Sequence, residues 1–149
     1  MSRFSRRSFC VGLLIGCLAG LDHSHASAAP PATLESLWVY VGTYTRGDSQ
    51  GVYLSRLDLA SGKLSPPELV AEVSNPSFLA IHPSGKSLYT VNEDAKFKDQ
   101  KSGGVSAFSI ASGSGKLTPI NQQPSRGGGP CHIVVDRAGK NVLVANYGG

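Results

Sequence analysis

The stretch GVYLSRLDLASGKL at residues 51–64 returns as GVSAFSIASGSGKL at residues 104–117. A second stretch, PSFLAIHPSGKSLYTVN at 76–92, returns as PCHIVVDRAGKNVLVAN at 130–146. The offsets are 53 and 54 residues, so a structural unit of about fifty residues is repeated in tandem. A period of that size indicates a solenoid, a repeat array or a propeller, and the content of the unit distinguishes them.

The repeated unit consists of strand and turn signals. In its best-defined copy we predict strands over 76–81, 88–92, 105–110 and 117–122, separated by turns rich in Gly, Pro and Ser. After the first 28 residues, no window of the sequence combines helical periodicity with freedom from Gly and Pro. Four antiparallel strands in a tandem unit are typical of a propeller blade, so the predicted fold class is an all-β propeller.

The number of units predicts a partial ring. Propellers contain roughly four to eight blades, whereas this chain holds about two and a half. The segment WVYVGT at 38–43 aligns with the second strand of the unit, and the Ala/Pro-rich spacer 29–36 before it carries no strand signal. We therefore expect 37–149 to be the truncated N-terminal part of a propeller that does not fold stably alone. C-terminal blades would supply the missing inner strand and remove the open sheet edge.

The first 28 residues are predicted to be an export signal. SRRSF at 5–9 is a twin-arginine pattern, and the apolar stretch 9–21 is too short to span a bilayer stably. ASA at 26–28 supplies a small-residue cleavage site. We therefore expect the protein to be periplasmic or secreted. The expected export route is the twin-arginine pathway, with general secretion as the alternative. LIGC at 14–17 also resembles a lipoprotein box that would acylate Cys17.

Charge and cysteine content exclude several classes of partner. Residues 1–28 hold three arginines and one aspartate, so the net charge falls from +4 to +2 without them. The remaining basic residues are scattered, which argues against nucleic-acid binding. Cys131 then stands alone, so no intrachain disulfide is expected. No His, Cys and Asp cluster has metal-ligand spacing after residue 28, and we expect no metal, no organic cofactor, no membrane span and a monomer at full length.

Strand direction predicts which residues share the upper rim of the propeller. If the first strands run downward from Pro76 and Pro130, His132 lies near the top of a channel-lining strand, where its repeat mate is Phe78. An imidazole there suits proton transfer near neutral pH, so His132 is a candidate catalytic residue, with a purely structural histidine as the alternative. Glu93 ends a second strand and is the candidate base, unless it is a solvated loop residue.

Further rim residues are candidates for substrate binding. Arg126 precedes three glycines that would let backbone N–H groups approach an anion, although a plain flexible loop has the same composition. Two other residues are assigned to the core or the lower turns: Cys131 to packing and His82 to turn capping. The remaining candidates for substrate contact are the second-strand residues Asn92, Asn146 and Tyr147.

Three stretches carry a family resemblance: VYVGTYT at 39–45, NPSFLAIHPSGKSLYTVNE at 75–93 and GPCHIVVDRAGKNVLVANYGG at 129–149. They resemble the seven-bladed propeller lactonases, the 6-phosphogluconolactonase family. This resemblance implies seven four-stranded blades and hydrolysis of a sugar lactone at the top of the central channel, without a metal or organic cofactor. It also implies that His132 is catalytic, with Glu93 and Asn146 beside it.

Two other functional classes remain open from the sequence. The first is a non-catalytic periplasmic propeller that acts as a binding or interaction module. The second is a quinone-dependent or metal-dependent propeller dehydrogenase, which would need a ligand cluster or tryptophan docking motifs that this sequence does not show. The export signal also conflicts with a phosphorylated cytosolic substrate, and it favours an unphosphorylated periplasmic lactone.

Overall fold

The computed structural model describes residues 35–149, each of which lies in a strand, a turn or an irregular segment. The predicted export signal and all but the last two residues of the spacer lie outside this range. Within it, the chain forms nine antiparallel strands and no helix, so none of its elements is a helix that could cross a membrane. The strands are β1 Ser36–Val41, β2 Gly51–Asp58, β3 Glu68–Glu72, β4 Leu79–Ile81, β5 Ser87–Asn92, β6 Gly104–Ile110, β7 Leu117–Pro124, β8 Gly128–Val135 and β9 Val142–Gly148.

The strands form three sheets that correspond to the predicted blades. The order is β1-β2-β3 in the first blade, β4-β5-β6-β7 in the second and β8-β9 in the third. The second blade is therefore a complete four-stranded unit, and β1 takes the second-strand position of the first blade. The all-β prediction is confirmed, and among the described residues β1 pairs with β2 alone.

The largest departure from the predicted strands occurs at the start of the second blade. The sequence predicts a strand from Pro76, but β4 begins at Leu79. Asn75 has a φ of 40°, and its carbonyl accepts a hydrogen bond from the Ser77 N–H at 2.8 Å. Pro76 has no N–H to donate to a neighbouring strand. After this tight turn the Phe78 carbonyl already accepts the Val91 N–H of β5 at 3.1 Å, and Ser77 and Phe78 lead into β4 at its upper end.

A hydrophobic core fills the space between the first and second blades. Val52 and Leu88 are fully buried, and each contributes roughly 1.5–3 kcal/mol by leaving water. The Tyr40 hydroxyl crosses between the same blades and donates to the Gly115 carbonyl at 2.5 Å. The buried members of this core are Val52, Val73, Leu88, Phe108 and Leu117.

The lower turns of the blades are capped by side chains. In the first blade Asp58 accepts the Ser61 N–H at 2.7 Å, and in the third Asp136 accepts the Lys140 N–H at 2.7 Å. In the second blade the Ser84 N–H donates to His82 Nδ1 at 3.1 Å, which leaves the proton on Nε2. His82 Nε2 then donates to the Gly139 carbonyl of the third blade at 2.9 Å. The predicted capping role of His82 is confirmed, and the same ring also joins two blades.

Candidate functional site

The clearest polar contact at the upper rim is made by Glu93, which directly follows β5. Its Oε2 accepts a hydrogen bond from the Tyr44 hydroxyl at 2.9 Å and a second one from the Ser77 hydroxyl. The hydrogen bond from Tyr44 to Glu93 raises the pKa of the tyrosine hydroxyl, since the bond is lost when the phenol ionises. Because Tyr44 belongs to the first blade, the half-buried carboxylate is held by donors from two blades.

The loop around Glu93 is fixed by a network centred on Asn75. The Asn75 Oδ1 atom accepts the Thr45 N–H at 3.0 Å, and its Nδ2 donates to Asp94 Oδ1 at 2.6 Å. The Asn75 carbonyl also accepts the Glu93 N–H at 3.0 Å. Sequence reasoning missed the parts played by Ser77, Thr45 and Asp94. The NP pair at 75–76 is the signal of a special turn that points to this network.

His132 lies on β8 against the neighbouring blade. Its ring centroid is 4.4 Å from that of Phe78, with the two planes tilted by 53°. The pairing of β8 with β9 shifts register between Pro130 and His132, so Cys131 occupies a bulge. Bulges re-aim side chains, and here His132 is exposed while Cys131 is half-buried with its Sγ 3.7 Å from the Ala145 carbonyl.

Two consecutive residues connect the catalytic candidates. Ser77 contacts Glu93 through its hydroxyl, and Phe78 contacts His132 through its ring. Both residues lie above the start of β4, at the upper end of an inner strand. Glu93 and His132 therefore contact neighbouring residues of the same short segment, Glu93 through Ser77 and His132 through Phe78.

The two candidate asparagines have internal roles. Asn92 is 3% exposed, donates to the Ser74 carbonyl at 2.9 Å and accepts the Ser106 hydroxyl at 2.7 Å. At the equivalent position of the third blade, Asn146 donates to the Ser125 carbonyl at 3.1 Å. The Oδ1 atom of Asn146 is buried without a hydrogen-bond partner among residues 35–149. The burial of Asn92 leaves it no surface for a ligand in this arrangement, so the predicted contact with substrate is not supported.

Arg126 lies on a loop that is tied to the second blade. Its backbone is left-handed, with a φ of 62°, and its N–H donates to the Ser102 hydroxyl at 2.9 Å. The sequence suggests that the glycine N–H groups could approach an anion. The Gly129 N–H is not available for this, because it donates to the Asp94 carbonyl at 3.0 Å. Gly127 is a packing residue, because a Cβ there would lie 2.5 Å from Nδ2 of Asn146.

The remaining candidates, Arg126 and Tyr147, are both exposed. Arg126 borders a groove of about 420 Å³ between the second and third blades, and neither Glu93 nor His132 lines that groove. Tyr147 is 91% exposed at the upper end of β9. Among the described residues, no group of three or more His, Cys, Asp or Glu side chains is arranged to hold a metal ion.

Comparison with known proteins places this arrangement in a family. The profile described as "Lactonase, 7-bladed beta-propeller" matches residues 38–149. A 6-phosphogluconolactonase of Bacillus subtilis is 42% identical over 108 residues, which are 72% of this chain and 30% of that protein. The chain thus spans about a third of the length of the curated relatives that it matches.

Several solved structures are similar to this fold. A putative 6-phosphogluconolactonase from Bacteroides fragilis has a TM-score of 0.69 and 38% identity, over 80% of this chain and 32% of that one. A periplasmic gluconolactonase from Pseudomonas aeruginosa has a TM-score of 0.68 and 33% identity, over 76% and 31% of the two chains. The predicted resemblance is confirmed, and this chain belongs to the lactonase family of seven-bladed β-propellers.

Proposed function

We propose that this chain supplies the first blades of an enzyme that hydrolyses a sugar lactone at the top of its central channel. Membership of the lactonase family supports this proposal, as do relatives named 6-phosphogluconolactonase. The observation that carries it is the Ser77–Phe78 segment, which contacts Glu93 on one side and His132 on the other. A lactonase needs a proton acceptor for water and a proton donor for the ring oxygen, and these two side chains can supply both.

The proposed reaction uses one water molecule and opens the ring. The water oxygen attacks the carbonyl carbon while Glu93 or His132 accepts its proton. Hydrogen-bond donors at the rim stabilise the negative charge on the tetrahedral carbonyl oxygen. The bond between the carbonyl carbon and the ring oxygen then breaks, and the leaving oxygen receives a proton, which gives an open-chain hydroxy acid. Exposed Tyr147 is the proposed contact to the sugar, whereas Arg126 borders a separate groove.

We further propose that the substrate is an unphosphorylated lactone outside the cytoplasm. The twin-arginine pattern SRRSF at 5–9 and the ASA site at 26–28 support export. A related solved structure is named a periplasmic gluconolactonase, which is consistent with such a substrate. A phosphorylated lactone, as in the name of the Bacillus subtilis relative, is the competing substrate.

The test compares two histidines in the complete protein that carries this segment. Hydrolysis of gluconolactone and of its 6-phosphate is measured by proton release, for wild type, His132→Ala and His82→Ala. We expect His132→Ala to lower kcat/KM by about 100-fold to 10,000-fold with an unchanged Tm, because general acid–base catalysis contributes that much. His82→Ala should lower the free energy of unfolding by about 1 kcal/mol with unchanged kcat/KM, because it leaves the Gly139 carbonyl unpaired.

Three results would count against parts of the proposal. Unchanged turnover in His132→Ala would remove that residue from the mechanism. Hydrolysis of the phosphorylated lactone alone would contradict the proposed substrate. If wild-type protein opens neither lactone, the propeller is better explained as a binding module.

A further inference from the structure

Tyr44 meets Glu93 across the boundary between the first and second blades. Its hydroxyl lies 2.9 Å from Glu93 Oε2, the same oxygen that accepts from Ser77. We infer that Tyr44 is a positioning residue, which holds the Glu93 carboxylate in one orientation so that its other oxygen can accept a proton. This inference rests on the proposed function, because it assigns a role within the same reaction.

The hydrogen bonds leave one carboxylate oxygen available. An ionised carboxylate only accepts hydrogen bonds, and it offers about four lone-pair sites on two oxygens. Both donors use Oε2, whereas Oε1 accepts no hydrogen bond from residues 35–149. Two donors on one oxygen remove rotation of the carboxylate about its last bond. A water molecule or substrate hydroxyl would therefore meet Oε1 in a fixed position, which is the condition for efficient proton transfer.

The contact is particular to this pair of blades. Tyr44, Glu93 and Tyr147 occupy the same position in three consecutive repeats. If the fold alone required this contact, the boundary between the second and third blades would show the same one. It would then join Glu93 to Tyr147. Glu93 instead accepts hydrogen bonds from Tyr44 and Ser77, and Tyr147 donates none to it. The contact between Tyr44 and Glu93 is thus not repeated at the next blade boundary.

The Tyr44 ring also has a cation beside it. The Arg46 guanidinium carbon lies 5.8 Å from the centroid of the Tyr44 ring. The Arg46 charge lowers the pKa of Tyr44, but the hydrogen bond to Glu93 is the largest influence and raises it. The phenol therefore stays protonated at neutral pH, which is the form that can donate to Glu93.

The kinetic test uses Tyr44→Phe in the complete protein, with Tyr53→Phe as the matched control. The Tyr53 hydroxyl accepts the Gln50 N–H at 3.1 Å in the same blade and makes no contact with Glu93. We expect Tyr44→Phe to lower kcat about tenfold with unchanged KM and Tm, because the base loses its orientation. In a Glu93→Gln background, Tyr44→Phe should have no further effect on kcat, since the two residues act as one unit.

A second measurement does not depend on activity. With ¹³C-labelled tyrosine, NMR titration should show a lower pKa for the Tyr44 hydroxyl in Glu93→Gln than in wild type, because the carboxylate that raises the pKa is gone. A Tyr44 pKa that does not change in Glu93→Gln would overturn the contact itself.

The kinetic outcomes separate this inference from the proposed function. Wild-type hydrolysis with equal kcat in Tyr44→Phe would overturn the positioning role and leave the lactonase proposal intact. A tenfold loss that persists in the Glu93→Gln background would also overturn it, because such additivity indicates an independent structural effect. Absence of wild-type hydrolysis would instead contradict the proposed function.

Discussion

The lower turns of this propeller and its upper rim follow the same repeat, but they differ in how uniform their side chains are. At the lower end Asp58, His82 and Asp136 begin the turns of three blades, and each receives backbone hydrogen bonds from its own turn. At the upper end the equivalent positions diverge, and Phe78 of one blade faces His132 of the next. The lower end is shaped by the requirement to close a turn, whereas the upper end is available for chemistry.

At the upper end, Glu93→Gln should have a large effect on turnover, as His132→Ala should. Glutamine keeps the shape of glutamate and an oxygen that can accept from Tyr44 and Ser77, but it cannot take up a proton. We expect kcat/KM for lactone hydrolysis to fall by about 100-fold or more. The Tm should remain that of wild type, as measured by thermal unfolding. A fall in Tm with retained turnover would place Glu93 among the structural residues and weaken the contrast between the two ends.

The next effect lies at the lower end, where Gly139→Ala should reduce stability without changing turnover. Gly139 has a φ of 70°, which costs an L-residue roughly 1–2 kcal/mol. A Cβ at this position would also clash with His82 Nε2, so the ring must move and lose its bond to the Gly139 carbonyl. We expect the free energy of unfolding to fall by about 2–3 kcal/mol in denaturant titrations.

Gly85→Ala is the matched control for that substitution. Gly85 occupies the same turn position in the second blade and also has a φ of 70°, but a Cβ there would meet nothing within 4 Å. It should show the backbone strain of about 1–2 kcal/mol alone. Equal losses in the two variants would show that the bond between His82 and Gly139 adds nothing to the stability of the blade interface.

The fold was predictable from the sequence because its information is local and repeated. The offsets of 53 and 54 residues align strand with strand, so one well-marked copy defines the others. Strand β4 is shorter than predicted because the positive φ of Asn75 depends on hydrogen bonds from Thr45, 30 residues earlier in the chain. The NP pair at 75–76 signals a turn, but it does not reveal this distant partner or where β4 begins.

The candidate site was predictable only residue by residue. Comparing repeats singles out His132 and Glu93, because each differs from its mates. It does not reveal that Tyr44 reaches Glu93, since that contact depends on the distance between blades. Nor does it reveal that Asn92 is buried. The Asn92 amide forms hydrogen bonds with Ser74 and Ser106, and the strand pattern does not identify these partners.

The smallest expected effect is the pH dependence of the stability that Asp136 gives to its lower turn. The Asn141 side chain, followed by backbone N–H groups, lowers the pKa of Asp136 below its ordinary value of 3.8. A carboxyl with a depressed pKa in the folded state stabilises that state above the ordinary value, and the contribution is lost as the pH falls through the folded-state pKa. Asp136→Asn should therefore have a slightly lower Tm than wild type at pH 7, and the difference should close as the pH falls below about 3.8. A Tm difference that is constant from pH 7 to pH 3 would show that the loss comes from packing. In that case the lower turns would be held by shape rather than by the charge of their capping carboxylates.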